Sequence, residues 1–319
     1  MHVNLCLLLT PLTSFFGNAV VITFLISLIL LLFELIRYHR RYINLALDPD
    51  DPSYMQETAA KNMRIALVTG ASSGLGREFA RLIDRDEILI DEIWLIARRE
   101  ERLNELKEEL THHCRILPID LTREDSFSVL KKELDLSKAR VGLFVNCAGV
   151  GQFGNYQTIS SADAARMIDL NCRAAVLLTQ TILPYMKAFD RIIQVCSSAA
   201  FQPLQQVNVY AASKAFLYHY TRALRTELLP KRIMVTAVCP FWIRDTEFIA
   251  LASDTEGQPP IRHFPFSVTA HRVAKRGLSA SRIGIAASTP GFFALLQRIF
   301  TKILPRTVIM YIWELLRRI

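Results

Sequence analysis

The chain has 319 residues, 51% hydrophobic and 21% charged, enough for one large α/β domain with extensions. Net charge is +8 at a sequence pI near 9.3, yet the basic residues form no patch with interleaved aromatics, which argues against nucleic acid; they gather beside the hydrophobic ends, which points to anionic lipid. The six cysteines show no paired spacing and several sit in apolar or glycine-rich segments, so a reducing compartment is expected.

From Val3 to Phe33 there is no Asp, Glu, Lys or Arg. Residues 15–36 read as one helix of ~33 Å, long enough for a bilayer core. Arg37-Tyr38-His39-Arg40-Arg41 follows, so the positive-inside rule puts everything after the span in the cytoplasm. The expectation is a single-pass membrane anchor over residues 1–41. Residues 42–62 are polar, carry two prolines and read as a linker.

Arg64–Thr69 is a short apolar run suited to a buried parallel strand. It runs into Gly70-Ala71-Ser72-Ser73-Gly74-Leu75-Gly76 and then a helical stretch. Strand, glycine turn and helix make the context of a dinucleotide site. Gly70 permits the turn, Gly74 lets backbone approach a pyrophosphate, and Gly76 allows close helix–strand packing. A second strand, Ile93–Ala97, ends in Arg98-Arg99 where an acidic residue would bind a free ribose 2′-OH. Guanidinium groups match a 2′-phosphate instead, which favours NADP(H) over NAD(H). The bland reading is a solvated start to the helix Glu100–Leu110. His112-His113-Cys114 reads as a helix end rather than a metal site.

Further strands are expected at Arg115–Pro118, Val141–Val145, Ile192–Cys196 and Ile233–Cys239. Ser161–Met186 reads as one long helix carrying Asn171, and Asn208–Leu229 as another. Such alternation means a doubly wound parallel sheet of Rossmann type, covered on both faces, with ligands at the carboxyl ends of the strands. Tyr210 and Lys214 are four apart, hence on one face of their helix. A free phenol titrates near ~10; a cation beside it lowers that value and suits it to proton transfer. Alone, such a pair is two surface residues as often as a site.

Taken together, Thr69–Gly76, Asp120, Asn146-Cys147-Ala148-Gly149, Asn171, Ser197-Ser198 and Tyr210-Ala211-Ala212-Ser213-Lys214 resemble the short-chain dehydrogenase/reductase family over about residues 63–280. The resemblance implies an NADP(H)-type enzyme. Gly70, Ser72, Ser73, Gly74, Leu75, Gly76, Arg98, Asp120 and Asn146 would hold the cofactor together with Tyr210 and Lys214. Tyr210 would carry the proton, Lys214 lower its pKa and bind the nicotinamide ribose, and Asn171 hold a water that links Lys214 to solvent. Asp120 would contact the adenine, and a serine would orient the substrate oxygen. Three departures stand out: Cys147 in place of the second asparagine, Phe241 after Pro240, and one residue fewer than usual between Ser198 and Tyr210. Counting back from Tyr210 selects Ser197; counting forward from the strand selects Ser198, which is the expectation.

The loop 240–270 is rich in aromatics (Phe241, Trp242, Phe248, Phe264, Phe266), which fits either an apolar substrate or packing of the loop itself. In the extension 281–319, Phe292, Leu295, Leu296, Ile299, Phe300 and Ile303 recur at helical spacing, with Arg298 and Lys302 opposite. A membrane surface, packing on the core and dimerisation are all open readings, so a homo-oligomer also stays open. The leading expectation is a membrane-anchored NADPH-dependent reductase of a small apolar carbonyl compound, a lipophilic ketone that is acyl or steroid-like, or the corresponding alcohol. A reductase of soluble substrates is the nearest alternative. From another class, the chain is a nucleotide-binding sensor or scaffold without turnover, against which the intact Tyr210, Lys214, Asn171 and serine set argues.

Overall fold

The computed structural model describes residues 23, 26–31, 33, 34 and 37, and residues 63–318 apart from 88, 255–260 and 262. The chain divides into two compact units, Met1–Asp51 and Pro52–Ile319. In the first, the described residues are helical. Among the described residues no helix is long and apolar enough to cross a membrane. The span expected at 15–36 falls largely, and the linker at 42–62 wholly, outside the described residues.

In the second unit, β1 (Arg64–Thr69) leads into α1 (Gly74–Asp86), β2 (Glu92–Ala97) into α2 (Glu100–Glu109), and β3 (His113–Pro118) into α3 (Ser126–Ser137). After β4 (Arg140–Asn146) come α4 (Ser161–Ile168), a π-helical stretch Asp169–Ala174 and α5 (Ala175–Ile182). Then follow β5 (Arg191–Val195), α6 (Asn208–Leu228), β6 (Met234–Val238), α7 (Phe248–Ala252) and α8 (Ala270–Arg282). The chain closes with β7 (Ala287–Ser288), α9 (Phe292–Ile303) and α10 (Arg306–Leu316).

The seven strands lie in the order β3-β2-β1-β4-β5-β6-β7 and pair in parallel throughout. β2 and β4 are buried at every residue and β1 at all but its first, because helices cover both faces of the sheet. One core layer joins Phe79, Ile83, Val68 and Leu95 with α8; the other joins Trp94, Phe144, Leu178 and Leu224. β1 is paired with both β2 and β4, so the strand order reverses there and a crevice opens at the carboxyl ends.

Three expectations are corrected. His113 and Cys114 open β3 instead of closing a helix; His113 Nδ1 lies 2.9 Å from Glu92 Oε1 on the neighbouring strand. The helix expected over Ser161–Met186 is interrupted by the π stretch. The boundary expected at 280 falls inside α8, and Ala287–Ser288 extends the sheet, with Cys239 N–H donating to Ser288 O at 2.8 Å.

Candidate functional site

The glycine turn after β1 is as tight as its sequence demands. Gly70 and Gly74 have φ of 69° and 51°, a region where a Cβ is costly. A Cβ on Gly76 would stand 2.2 Å from Gly70 O, so α1 could not approach the strand end with any other residue there. Ser73 caps α1 without a side-chain hydrogen bond, and the first turn carries no acid. Its backbone N–H groups and the helix dipole therefore favour an anion. Ser72, Ser73 and Leu75 line one cavity with the glycines, and that cavity, of about 860 Å³, runs along the carboxyl edge of the sheet.

At its far end Arg98 and Asp120 also line the wall, with Arg98 Nη1 4.0 Å from Asp120 Oδ2. Burial works to raise the Asp120 pKa, but hydrogen bonds from Thr122 N–H (3.0 Å) and Oγ1 (2.7 Å) and the nearby guanidinium hold it below the ordinary value. Arg99 turns another way. Its two Nη atoms lie 3.2 Å from Glu247 Oε2, Arg102 pairs with the same carboxylate, and Arg99 Nη2 reaches Ser72 Oγ at 3.4 Å. Nothing near Arg99 in sequence points to Glu247, which lies 148 residues away.

The other end of the cavity is built by β5 and α6. Tyr210 and Lys214, one turn apart on α6, are both buried and both on its wall. Lys214 Nζ donates to Val195 O at 3.0 Å and lies 5.9 Å from the Tyr210 ring centre. A lowered Tyr210 pKa is not what results: burial pushes the phenol up to about 12, opposed by a hydrogen bond with Ser197. Burial likewise lowers Lys214. At Tyr210 desolvation outweighs the Ser197 hydrogen bond, because the buried phenolate would be unhydrated.

Both serines line the cavity, Ser198 as expected, but Ser197 is the one that bonds to Tyr210. β5 ends at Val195, and Ser197 opens a tight turn, Ser198–Phe201. Ser197 Oγ accepts Ala199 N–H at 3.1 Å and reaches Tyr210, whereas Ser198 N–H donates to Pro240 O at 2.9 Å. Asn171, fully buried in the π stretch, fixes the loop after β4. Its Oδ1 accepts Val150 N–H at 2.9 Å, and its Nδ2 donates to Val150 O at 2.8 Å and Ser213 Oγ at 3.0 Å. A Cβ on Gly149 would come 3.1 Å from both Asn171 Oδ1 and Lys214 Nζ. Asn146 does not line the cavity. It turns into the sheet, donating to Gln194 Oε1 at 2.8 Å and accepting from Thr69 Oγ1 at 3.2 Å. Thr69 Oγ1 in turn accepts the N–H groups of Cys147 and Ala148 at 3.0 Å each. Its place is to brace the strand ends beneath the site.

The aromatic loop divides its labour. Phe241, Trp242 and Phe248 face the cavity, with the Phe248 ring 5.4 Å from that of Tyr210. Phe264 packs on Trp242 at 5.0 Å, and Phe266 stacks on Phe293 at 3.6 Å. Part of the last wall comes from the C-terminal helices: Phe293, Leu296 and Phe300 of α9, and Ile309, Ile312 and Trp313 of α10. Trp313 Nε1 donates to Gln205 O at 2.9 Å, tying α10 to the loop before α6. One face of the extension thus packs on the core.

Burial of Tyr210 makes a stability prediction. Its folded pKa lies above the unfolded ~10, so its contribution is complete below pH 10 and is lost as pH rises towards 12. At pH 11 the loss is about 1.4 kcal/mol. Denaturant unfolding at pH 8 and pH 11 should therefore show the parent chain losing more stability than Tyr210→Phe; equal losses would place the phenol in solvent.

The short chain dehydrogenase family model matches residues 64–257, more than half of the chain. The chain belongs to the short-chain dehydrogenases. A dehydrogenase of this family is an NAD(P)-dependent oxidoreductase working between carbonyl and alcohol. Among curated relatives, 17-beta-hydroxysteroid dehydrogenase type 3 of Mus musculus is 30% identical over 186 residues, covering 56% of this chain and 59% of the mouse protein. That is under two thirds of the mouse protein's length. Sulfoacetaldehyde reductase 2 of Chromohalobacter salexigens is 37% identical over 191 residues, covering 58% of this dehydrogenase and 74% of the relative. Among solved structures, a short-chain dehydrogenase from Sphingobium yanoikuyae in complex with NADPH superposes with a TM-score of 0.63 at 26% identity, covering 75% of this chain and 94% of that one.

Proposed function

We propose that the chain is an NADPH-dependent reductase of a lipophilic ketone, with Tyr210 as the proton donor. The observation that carries this is the shared cavity. Tyr210 and Ser197 line the same cavity as Phe241, Trp242, Phe248, Phe293, Phe300 and Trp313. The residues present fit a dinucleotide: a side chain at Gly76 would abolish the turn, and one at Gly149 would crowd Lys214 and Asn171. Ser72, Ser73, Gly74 and the α1 N-terminus would hold the diphosphate, and Arg98 the 2′-phosphate. When bound, the nicotinamide supplies the hydride for the carbonyl carbon.

The chain's own residues manage position and proton. The raised pKa keeps Tyr210 protonated at neutral pH, so its hydroxyl can protonate the substrate oxygen. Ser197 Oγ accepts Ala199 N–H and bonds with Tyr210, so its hydroxyl is held beside the phenol where the substrate oxygen would lie. Lys214 holds Val195 O and so fixes the strand end two residues before Ser197. The mouse hydroxysteroid relative supports a bulky apolar substrate.

The test is a turnover screen of apolar and polar ketones with NADPH and NADH, repeated on Arg98→Ala. The expected result is reduction of apolar ketones, with NADPH affinity reduced about tenfold or more in the variant and NADH affinity little changed. Equal losses for both cofactors would remove Arg98 from phosphate recognition; turnover confined to small polar ketones would remove the lipophilic reading.

A further inference from the structure

The helices α9 and α10 carry a second apolar face that the catalytic cavity does not use. In α9 the cavity-lining Phe293, Leu296 and Phe300 are adjoined by an outward row one position earlier, Phe292, Leu295 and Ile299, which Ile303 continues one turn on. Neighbours in sequence stand ~100° apart around a helix, so the two rows lie side by side. α10 repeats the arrangement, with Tyr311 and Leu315 outward beside the cavity-lining Ile312 and Leu316. Four residues belong to both descriptions. Leu251, Phe300, Ile312 and Leu316 line the cavity and yet are 63%, 51%, 45% and 60% exposed. They form an apolar rim through which the cavity wall continues into the outer surface.

The charges around that surface are one-sided. From 292 to 318 there are five Lys or Arg and one Glu, a net of +4. Glu314 is already matched by Arg317 and Arg318, and Arg298 donates to Ala287 O at 3.1 Å. Lys302 and Arg306 stand exposed at the junction of the two helices. A second copy docked here about a two-fold axis would bring +4 against +4. An anionic lipid surface meets the same face with opposite charge and takes up its apolar rows.

We propose that the α9–α10 face lies in the surface of an anionic bilayer and that the cavity opens into it, so that the carbonyl compound enters from the lipid. The substrate half of this rests on the reading of the cavity as a ketone site; the lipid half does not. An apolar ketone is concentrated in lipid and scarce in water, and a rim of Leu251, Phe300, Ile312 and Leu316 offers it a path without an aqueous step.

The full chain is reconstituted in phosphatidylcholine–phosphatidylglycerol vesicles with brominated acyl chains, which quench indole fluorescence on contact. Ile303→Trp, outside the cavity on α9, should be quenched at least about fivefold more than Leu136→Trp on α3, after subtraction of the parent chain. Adding Lys302→Glu and Arg306→Glu to Ile303→Trp should bring its quenching down towards the Leu136→Trp level. Equal quenching at 303 and 136 overturns the proposal, as does a two-fold dimer cross-linked through position 303. Both readouts need no turnover, so they stand or fall separately from the ketone reading. For the path itself, Ile303→Asp with Leu315→Asp should raise KM several-fold for a long-chain alkyl ketone presented in vesicles. KM for a short water-soluble ketone should stay unchanged; an equal rise for both overturns the path.

Discussion

Tyr210→Phe should lower kcat by about 10²–10⁴ while leaving nucleotide affinity close to that of the parent chain. The substitution removes one oxygen and keeps the ring. The aromatic contact with Phe248 at 5.4 Å survives, and so does the wall that the ring contributes to the cavity. The lost partner is the Ser197 hydroxyl, which still accepts Ala199 N–H, so a stability cost of about 1–2 kcal/mol is expected and the fold stands. What the variant cannot do is deliver a proton. No other titratable side chain that bonds to Ser197 appears among the described residues to replace it. Steady-state turnover and nucleotide fluorescence titration, run side by side, check the result. Turnover within tenfold of the parent would remove Tyr210 from the chemistry, and a matched loss of nucleotide affinity would make its role structural.

Much of this site could be read before the fold was seen, and the reason is local. Arg64–Thr69, the glycines at 70, 74 and 76, and the pair Tyr210 and Lys214 act through neighbours in sequence, where strand burial, turn strain and helical spacing leave a direct imprint. The same holds for the sheet, whose central strands are apolar on both faces. What escaped reading depends on distance or on net balances. The π stretch around Asn171 has no proline or glycine to mark it; its geometry is fixed by bonds to Val150 and Ser213, 21 and 42 residues away. Glu247 meets Arg99 and Arg102 only because the loop after β6 folds back over α2. Spacing put Lys214 near Tyr210 correctly, but the sign of the pKa shift follows from burial, which spacing does not report. The amphipathic extension was visible as a pattern, but not that one of its faces would form the cavity wall.

The choice between two adjacent serines shows the limit most sharply and supplies the second large effect. Ser197→Ala should lower kcat by about 10²–10³, whereas Ser198→Ala should stay within about tenfold of the parent. The difference follows from where β5 ends. Strand alternation carries Val195 into the sheet, and Ser197 then adopts an extended conformation, φ −164°, as the cap of the turn that follows. Its hydroxyl is thereby oriented on both sides, accepting from Ala199 N–H at 3.1 Å and meeting Tyr210. Ser198 lies inside the turn with its backbone on Pro240 O, and no hydrogen bond joins its side chain to Tyr210 among the described residues. Because Ser197 also caps the turn, its loss should cost about 1 kcal/mol of stability, which alone would move the unfolding midpoint and not kcat. Ser197→Thr separates the two roles. It restores a hydroxyl at the same atom and should recover most of kcat, whatever its effect on packing. A larger loss from Ser198→Ala than from Ser197→Ala would reverse the assignment. A Ser197→Thr chain as slow as Ser197→Ala would show that position 197 shapes the turn without touching the substrate oxygen.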